Sequence, residues 1–220
     1  MIAQPTFEMI TRYATLAGGS LRGVAWSRGE FPLAAFVDVI DASTAVVAVV
    51  SPNNPTGAVA TADDLRTLSA AAPEALLVLD AAYAEFADED LTSVALGLPN
   101  TVVTRTLSKA WGLAGLRVGY VIGPAETIAW LRRTGQPYAV AGPSLALAAA
   151  WLERGGATVD AGIAQARDER ERLTALLRSL GAEVGASQAN FVLARFSNAA
   201  WVHDGLASLG VAVRQWPRRR

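Results

Sequence analysis

Among the 19 lysine and arginine side chains of this sequence, a single one, Lys109, is a lysine. Arginine keeps its proton at any working pH, whereas a lysine amine can lose it and act as nucleophile or base. A chain that uses arginine almost everywhere else therefore invites a chemical reason for Lys109. The bland alternative is one stray lysine in an arginine-biased protein, and local context must separate the two. That context holds further polar candidates. Asp80 closes an apolar run, where a carboxylate at a dry strand end would favour a positive charge beside it. Asn54 and Tyr83 are neutral hydrogen-bond partners. Ser108 and Arg117 offer a hydroxyl and a planar cation suited to a phosphate. Gly112 and Gly115 give the loop after Lys109 the freedom to fold Arg117 back toward the same place.

Such scattered residues meet only if the chain brings them to one rim. Ala45 to Val50 is a short apolar run rich in β-branched residues, closed by the turn Ser51-Pro-Asn-Asn-Pro-Thr-Gly57. It reads as a strand buried on both faces. Ala75 to Leu79 (ending on Asp80), Thr101 to Thr106 and Val118 to Ile122 read the same way, with a further strand from Leu21 to Trp26. Between them lie helices from Thr6 to Ala17, stopped at Gly18-Gly19, and from Pro32 to Ile40. Another begins at Thr61, an N-cap with Asp63 and Asp64 in its first turn. Alternating strands and helices make a mostly parallel sheet covered on both sides, with ligands beyond the carboxyl ends of its strands. Asn54, Asp80 and Lys109 each fall just past such an end.

The texture changes after Gly142. Helices are expected from Pro143 to Glu153 and from Thr158 to Leu180. A strand from Asn190 to Phe196, a short helix from Ala199 to Leu209 and a strand from Val211 to Arg214 follow. The expected fold is α/β. A three-layer α/β/α large domain with a mostly parallel sheet spans residues 1–140, and a partial α+β small C-terminal domain spans 141–220.

Composition narrows the function classes. With 52% hydrophobic residues a sizeable core can be buried, and a net charge of −1 argues against nucleic acid or an anionic membrane as partner. Cysteine is absent and histidine occurs once, so no disulfide, thiolate site or other metal site is expected. No signal-peptide pattern opens the chain, and its apolar runs are too short to span a bilayer. A soluble, cytoplasmic protein is expected.

Four segments carry a family likeness. Ser51-Pro-Asn-Asn-Pro-Thr-Gly57, Asp80-Ala-Ala-Tyr83, Thr106-Leu-Ser-Lys109 and Gly112-Leu-Ala-Gly-Leu-Arg-Val-Gly-Tyr120 stand in order and in matching strand context. Together they resemble the fold-type I, class I/II aminotransferases, and most closely the histidinol-phosphate aminotransferase group, from about Pro5 to Arg214. The resemblance implies pyridoxal 5'-phosphate as cofactor, held as a Schiff base on Lys109. It implies Asp80 as partner of the pyridine nitrogen, Asn54 and Tyr83 on the ring oxygen, and Ser108 and Arg117 on the phosphate. Phe7 takes the place of an aromatic stacked on the cofactor ring, with plain core as its alternative. Arg214 resembles an arginine that binds a substrate phosphate, with a solvated strand end as its alternative. Asn54 also faces the substrate.

The implied reaction moves an amino group between histidinol phosphate, or a similar amine, and a 2-oxo acid. The full-length form would be a homodimer. Two alternatives stay open: a pyridoxal-phosphate-dependent decarboxylase of a phosphorylated amino acid, or a catalytically inactive fragment. The family's glycine-rich N-terminal loop and its late substrate-gripping arginine have no counterpart here, and Arg218, Arg219 and Arg220 do not fit the latter role. Truncation at both ends is therefore expected. Ala81 also stands where an acidic residue is common. Asn190 reads as a backbone-bonding residue, His203 as surface, and Trp111 and Tyr120 as packing.

Overall fold

The computed structural model describes residues 1–216; Pro217, Arg218, Arg219 and Arg220 lie outside the described residues. Six strands form one sheet: β1 (Ile2–Gln4), β2 (Gly23–Ala25), β3 (Val46–Val50), β4 (Leu76–Asp80), β5 (Thr101–Thr106) and β6 (Gly119–Ile122). Their order is β2-β1-β3-β4-β5-β6. All neighbours pair in parallel except β5 and β6, which run antiparallel. This is the mostly parallel α/β sheet that the strand–helix alternation calls for.

The central strands form because their residues suit a surface covered on both faces. Val47, Ala48, Val49 and Val50 of β3 are all buried, as are Leu77 and Leu79 of β4 and Val102 and Val103 of β5. One cover is built from α2 (Leu33–Val39) and α3 (Ala62–Ala71), which bring Phe36, Leu65 and Leu68 onto that core. Trp26 meets Phe31 edge-on at 5.1 Å, and Phe31 stacks at a tilt on Phe36 at 4.8 Å. These aromatic pairs add to the apolar burial that holds the layer down. α3 is fixed at both ends. Thr61 accepts from the Asp64 backbone N–H while the Asp64 carboxylate accepts from the Thr61 N–H, a reciprocal capping box. Past its other end, the Asn100 amide donates to the carbonyls of Ala72 and Ala75 at 2.8 and 2.9 Å.

Further helices are α1 (Glu8–Leu16), α4 (Thr92–Leu96), α5 (Ala125–Thr134), α6 (Gly142–Arg154), α7 (Gly156–Ser179) and α8 (Ala199–Ser208). A small ladder pairs β7 (Glu183–Val184) with β8 (Ala194–Arg195). No described helix is long and apolar enough to cross a membrane. No described group of three or more His, Cys, Asp or Glu is placed to hold a metal ion.

Several sequence expectations change. The strand expected over Asn190 to Phe196 shrinks to Ala194–Arg195, because the preceding residues are committed to a folded loop: Ser187 Oγ donates to the Phe191 carbonyl at 2.6 Å and accepts from the Ala189 N–H. Val211 to Arg214 is irregular rather than a strand; among the described residues it has no ladder partner, and both Val211 and Val213 are exposed. Tyr120 lies on the open side of β6 and is 45% exposed, so it is not a packing residue. The sequence pattern did not reveal β1, β7, α4 or α5.

The capping box and the sheet core give a stability test in denaturant. Thr61→Ala should lower the unfolding free energy by ~1 kcal/mol. Leu79→Ala, which empties a fully buried site between two strands, should lower it by about 2–5 kcal/mol. Both should shift the urea midpoint with an unchanged slope.

Candidate active site

Val50, Asp80 and Thr104 are partners in register across β3, β4 and β5. The Ser51 N–H donates to the Asp80 carbonyl and the Ala81 N–H to the Thr104 carbonyl, each at 3.0 Å. These are the last bonds of the two ladders. Two loops leave the sheet from that row, residues 51–57 and 81–86; β5 runs on to Thr106 before the third, residues 107–117.

The first loop is shaped by Asn53, which is 0% exposed. Its Oδ1 accepts from Thr6 Oγ1 at 2.8 Å, and its Nδ2 donates to the Pro5 carbonyl and to Thr56 Oγ1, both at 3.0 Å. One buried amide thus staples the loop to the segment just before Phe7. Asn54, next to it, donates to the Tyr83 hydroxyl at 3.4 Å. The loop closes at Gly57, with φ +72° and Ser187 Oγ only 2.0 Å from where a Cβ would stand. No other residue fits there. Phe7 sits at the N-cap of α1 and is 38% exposed, which removes the plain-core reading.

The second loop carries Tyr83, 7% exposed, with its ring edge-on to Phe191 at 5.1 Å. The Lys109 ammonium lies over the same Tyr83 ring, its Nζ 5.1 Å from the centroid. Among the described residues the Lys109 amine makes no hydrogen bond or ion pair. Asp80 accepts one bond, from the Ala82 N–H at 3.1 Å. Burial pushes its carboxyl pKa up, and that bond and the Lys109 charge only partly oppose the shift. Asn54, Tyr83, Lys109 and Asp80 are therefore brought together from three separate loops.

The third loop departs from expectation. Gly112 does turn with φ +71°, but Gly115 has no such backbone, and Arg117 itself takes the left-handed conformation at φ 58°. The Arg117 guanidinium donates to the Ala114 carbonyl at 2.8 Å. Ser108 lies beside Lys109, its N–H on Thr106 Oγ1 at 3.1 Å. Arg214 pairs with Glu8 at 3.4 Å, one residue after Phe7, and its guanidinium lies 4.3 Å over the Trp216 ring. Its position is thus on the first turn of α1 rather than on a strand. His203 pairs with its neighbour Asp204 at 3.0 Å on α8. Trp111 packs against the small cluster of Leu107, Val118 and Ala148, and its carbonyl accepts from Trp151 Nε1. Asn190 is exposed in a bend.

Sequence reading missed the residues that brace these loops. Asn53 is one. Arg105 on β5 is another, with Nη2 on Glu85 at 2.9 Å and Nη1 on Asp90 at 2.7 Å. Burial pulls the Arg105 pKa down, but the hydrogen bonds it donates to Asp90 and Glu85 more than offset this and hold the charge firmly. Arg167 and Arg170 on α7 are the rest. Arg167 donates to the carbonyls of Glu85, Phe86 and Ala87, and Arg170 to those of Phe86 and Ala189. The i,i+3 spacing of two arginines on one helix face was the available signal, but its target lies some 80 residues earlier.

The donor set fits pyridoxal 5'-phosphate. An amine free of hydrogen bonds among the described residues, a desolvated carboxylate with a single hydrogen bond and two neutral polar groups in mutual contact are the kinds of partner that an aldehyde, a pyridine nitrogen and a ring oxygen call for.

Known proteins place the chain. An aromatic amino acid aminotransferase of Mycobacteroides abscessus is 40% identical over 194 residues, covering 85% of this chain and 55% of that protein. Histidinol-phosphate aminotransferase 1 of Mesorhizobium japonicum is 36% identical over 225 residues, covering 96% and 60%. The crystal structure of histidinol-phosphate aminotransferase from Sinorhizobium meliloti, in complex with pyridoxal-5'-phosphate, superposes with a TM-score of 0.86 at 25% identity. That match covers 97% of this chain and 61% of the other. The chain thus spans between half and two thirds of the length of these relatives. The family profile described as aminotransferase class I and II matches residues 1–217, and the chain belongs to that pyridoxal-phosphate-dependent family.

Proposed function

We propose that this chain carries the cofactor-binding centre of a transaminase, with Lys109 as its catalytic residue. The observation that supports this reading most is the meeting of Lys109, Tyr83, Asn54 and Asp80 at the carboxyl end of one sheet. When bound, pyridoxal 5'-phosphate supplies an aldehyde that joins amines and a ring that draws electrons from the amine-bearing carbon.

The chain's own residues do the rest. Lys109 Nζ anchors the cofactor, is displaced by the amino donor, and then moves the proton from the donor's α-carbon. Asp80 holds a proton at the pyridine nitrogen. Its desolvated carboxylate gains a partner there, which offsets the strain of burying it unpaired. Asn54 and Tyr83 bind the ring oxygen, and Phe7 covers the ring. Ser108 and Arg117 hold the phosphate, for which Arg117 exchanges its bond to the Ala114 carbonyl. Asn54 and Arg214 face the substrate. The amino donor is histidinol phosphate or a similar amine, and the acceptor a 2-oxo acid. An aromatic amino acid is the second candidate donor, favoured by the 40% identity to an aromatic amino acid aminotransferase. Residues 1–140 and 141–220 act as large and small domains of a cytoplasmic homodimer.

Borohydride reduction of the protein loaded with cofactor, followed by peptide mapping, should place a pyridoxyl group on Lys109. Label found only on the Met1 amine would overturn the assignment. Asp80→Ala should keep that label yet lose at least ~100-fold in transamination rate, the usual weight of a proton-holding group; near-normal turnover would give the role to another residue.

Asp80 also makes a pH prediction in the absence of cofactor. Its folded pKa lies above the ordinary 3.8, so the fold prefers the protonated form. Well below that value both folded and unfolded chains are protonated and Asp80 contributes nothing. As pH rises through the carboxylate range, ionisation weakens the fold. Asp80→Asn should therefore melt above the wild type near pH ~7.5 and match it near pH ~3.5. A difference that does not change with pH would show that burial of the charge is not its cause.

A further inference from the structure

Beyond the Ala81–Thr104 bond, no ladder relates the exit of β4 to the exit of β5. Yet these exits carry Tyr83 and Lys109, which must meet. Among the described residues, every side-chain hydrogen bond across that gap comes from Arg105. It reaches Glu85, two residues after Tyr83, and Asp90 and Thr92 farther along. Arg105 itself lies four residues before Lys109. The Arg105 and Glu85 side chains are only 11% and 15% exposed.

This pair is poorly explained as a stabilising contact. Buried ion pairs lose much of their attraction to desolvation, and apolar residues of similar volume often serve the fold better. Here the pair is not even complete: Glu85 Oε2 and Arg105 Nε are buried with no hydrogen-bond partner. Orphaned atoms of this kind ask for a reason other than stability. The same short segment is held from the opposite side by Arg167, which takes the three successive carbonyls of residues 85–87. Its side chain is gripped by the sheet and its backbone by α7. Tyr83, at the N-cap of the short 3-10 turn Ala84–Phe86, cannot shift unless that turn shifts.

We propose that the buried Arg105–Glu85 pair is a positioning element that sets the Tyr83 ring beneath the Lys109 amine. Its consequence for cofactor binding rests on the functional reading above; the placement itself is a property of the cofactor-free chain.

The single lysine makes this measurable. Reductive methylation with 13C-formaldehyde gives one lysine resonance besides that of the Met1 amine. With the Tyr83 ring beneath it, the Lys109 signal should lie upfield of an exposed lysine, and Tyr83→Leu should remove the shift. Arg105→Met and Glu85→Gln should move the signal toward the Tyr83→Leu position with an unchanged far-UV spectrum. Asp90→Asn, which leaves the Arg105–Glu85 pair intact, should not. The swapped pair Arg105→Glu with Glu85→Arg should recover part of the shift. Cofactor dissociation constants should rise by about tenfold in the two single variants, the size of one lost charge-assisted contact. If the lysine signal stays at its wild-type position in both while the melting temperature falls, the pair is structural only and the proposal fails. Should Arg105→Met not fold, Glu85→Gln decides in the same way. Absence of pyridoxyl label on wild-type Lys109 would defeat the cofactor reading instead, and the resonance would still decide the positioning.

Discussion

Parallel pairing sets Val50, Asp80 and Thr104 abreast across β3, β4 and β5, so two loops leave the sheet at one level and the third leaves two residues farther on, after Thr106. The rest of the site depends on that row. Its middle member is a carboxylate on a strand flanked on both sides, where water has little access and burial disfavours the charge. One backbone N–H does not satisfy a carboxylate. A positive or proton-bearing group set against Asp80, such as a pyridine nitrogen, would offset that cost.

A row of strand ends supplies direction but not fine placement, since the loops beyond it are free of the ladder. Two of the three loops are each pinned by a different buried polar device. Asn53 spends two hydrogen bonds on fixing residues 51–57 to Pro5 and Thr6 and a third on Thr56 within the loop. Arg105 fixes the turn after Tyr83 to β5 through Glu85. Lys109 is left free of hydrogen bonds among the described residues, as a nucleophilic amine must be to reach a carbonyl. Asn53 and Arg105 each make several hydrogen bonds, whereas the Lys109 amine makes none among the described residues. That division separates the residues that hold the site from those that would work in it.

The sheet was legible in the sequence where burial was two-sided. Val46–Val50 and residues 76–79 are continuous apolar runs, Thr101–Thr106 is rich in β-branched residues, and Thr61 with Asp64 announces the start of α3 by local chemistry alone. β1 escaped notice because it is three residues long and meets β3 at a single registered pair, Ile2 with Ala48. Val211 to Arg214 has the alternation of a strand, but alternation cannot supply a partner. The reacting residues were legible because Lys109, Asp80, Asn54 and Tyr83 lie next to strand ends or turns. Arg105 and Arg167 were not, since each acts on a segment that local pattern does not connect to it. The backbone of the loop after Lys109 was less legible: Gly112 turns left-handed as its type suggests, but the second such turn falls on Arg117 rather than on Gly115.

Residues 187–191 show how the C-terminal part of the chain enters the same economy of placement. Gln188 donates its N–H to the Gly57 carbonyl and accepts from the Asp88 N–H at its side chain, both at 2.8 Å. Ala189 gives its carbonyl to Arg170, and Phe191 gives its ring to Tyr83. A strand here would point alternate residues to opposite faces and turn its backbone groups sideways into a ladder. The stretch instead spends its polar groups on the loops that carry Asn54 and Tyr83. Gly57 completes the argument, since the close approach of Ser187 is possible only where no side chain intervenes. The short segment between β7 and β8 is thus irregular because its hydrogen bonds go to the loops that carry Asn54 and Tyr83 rather than into a sheet.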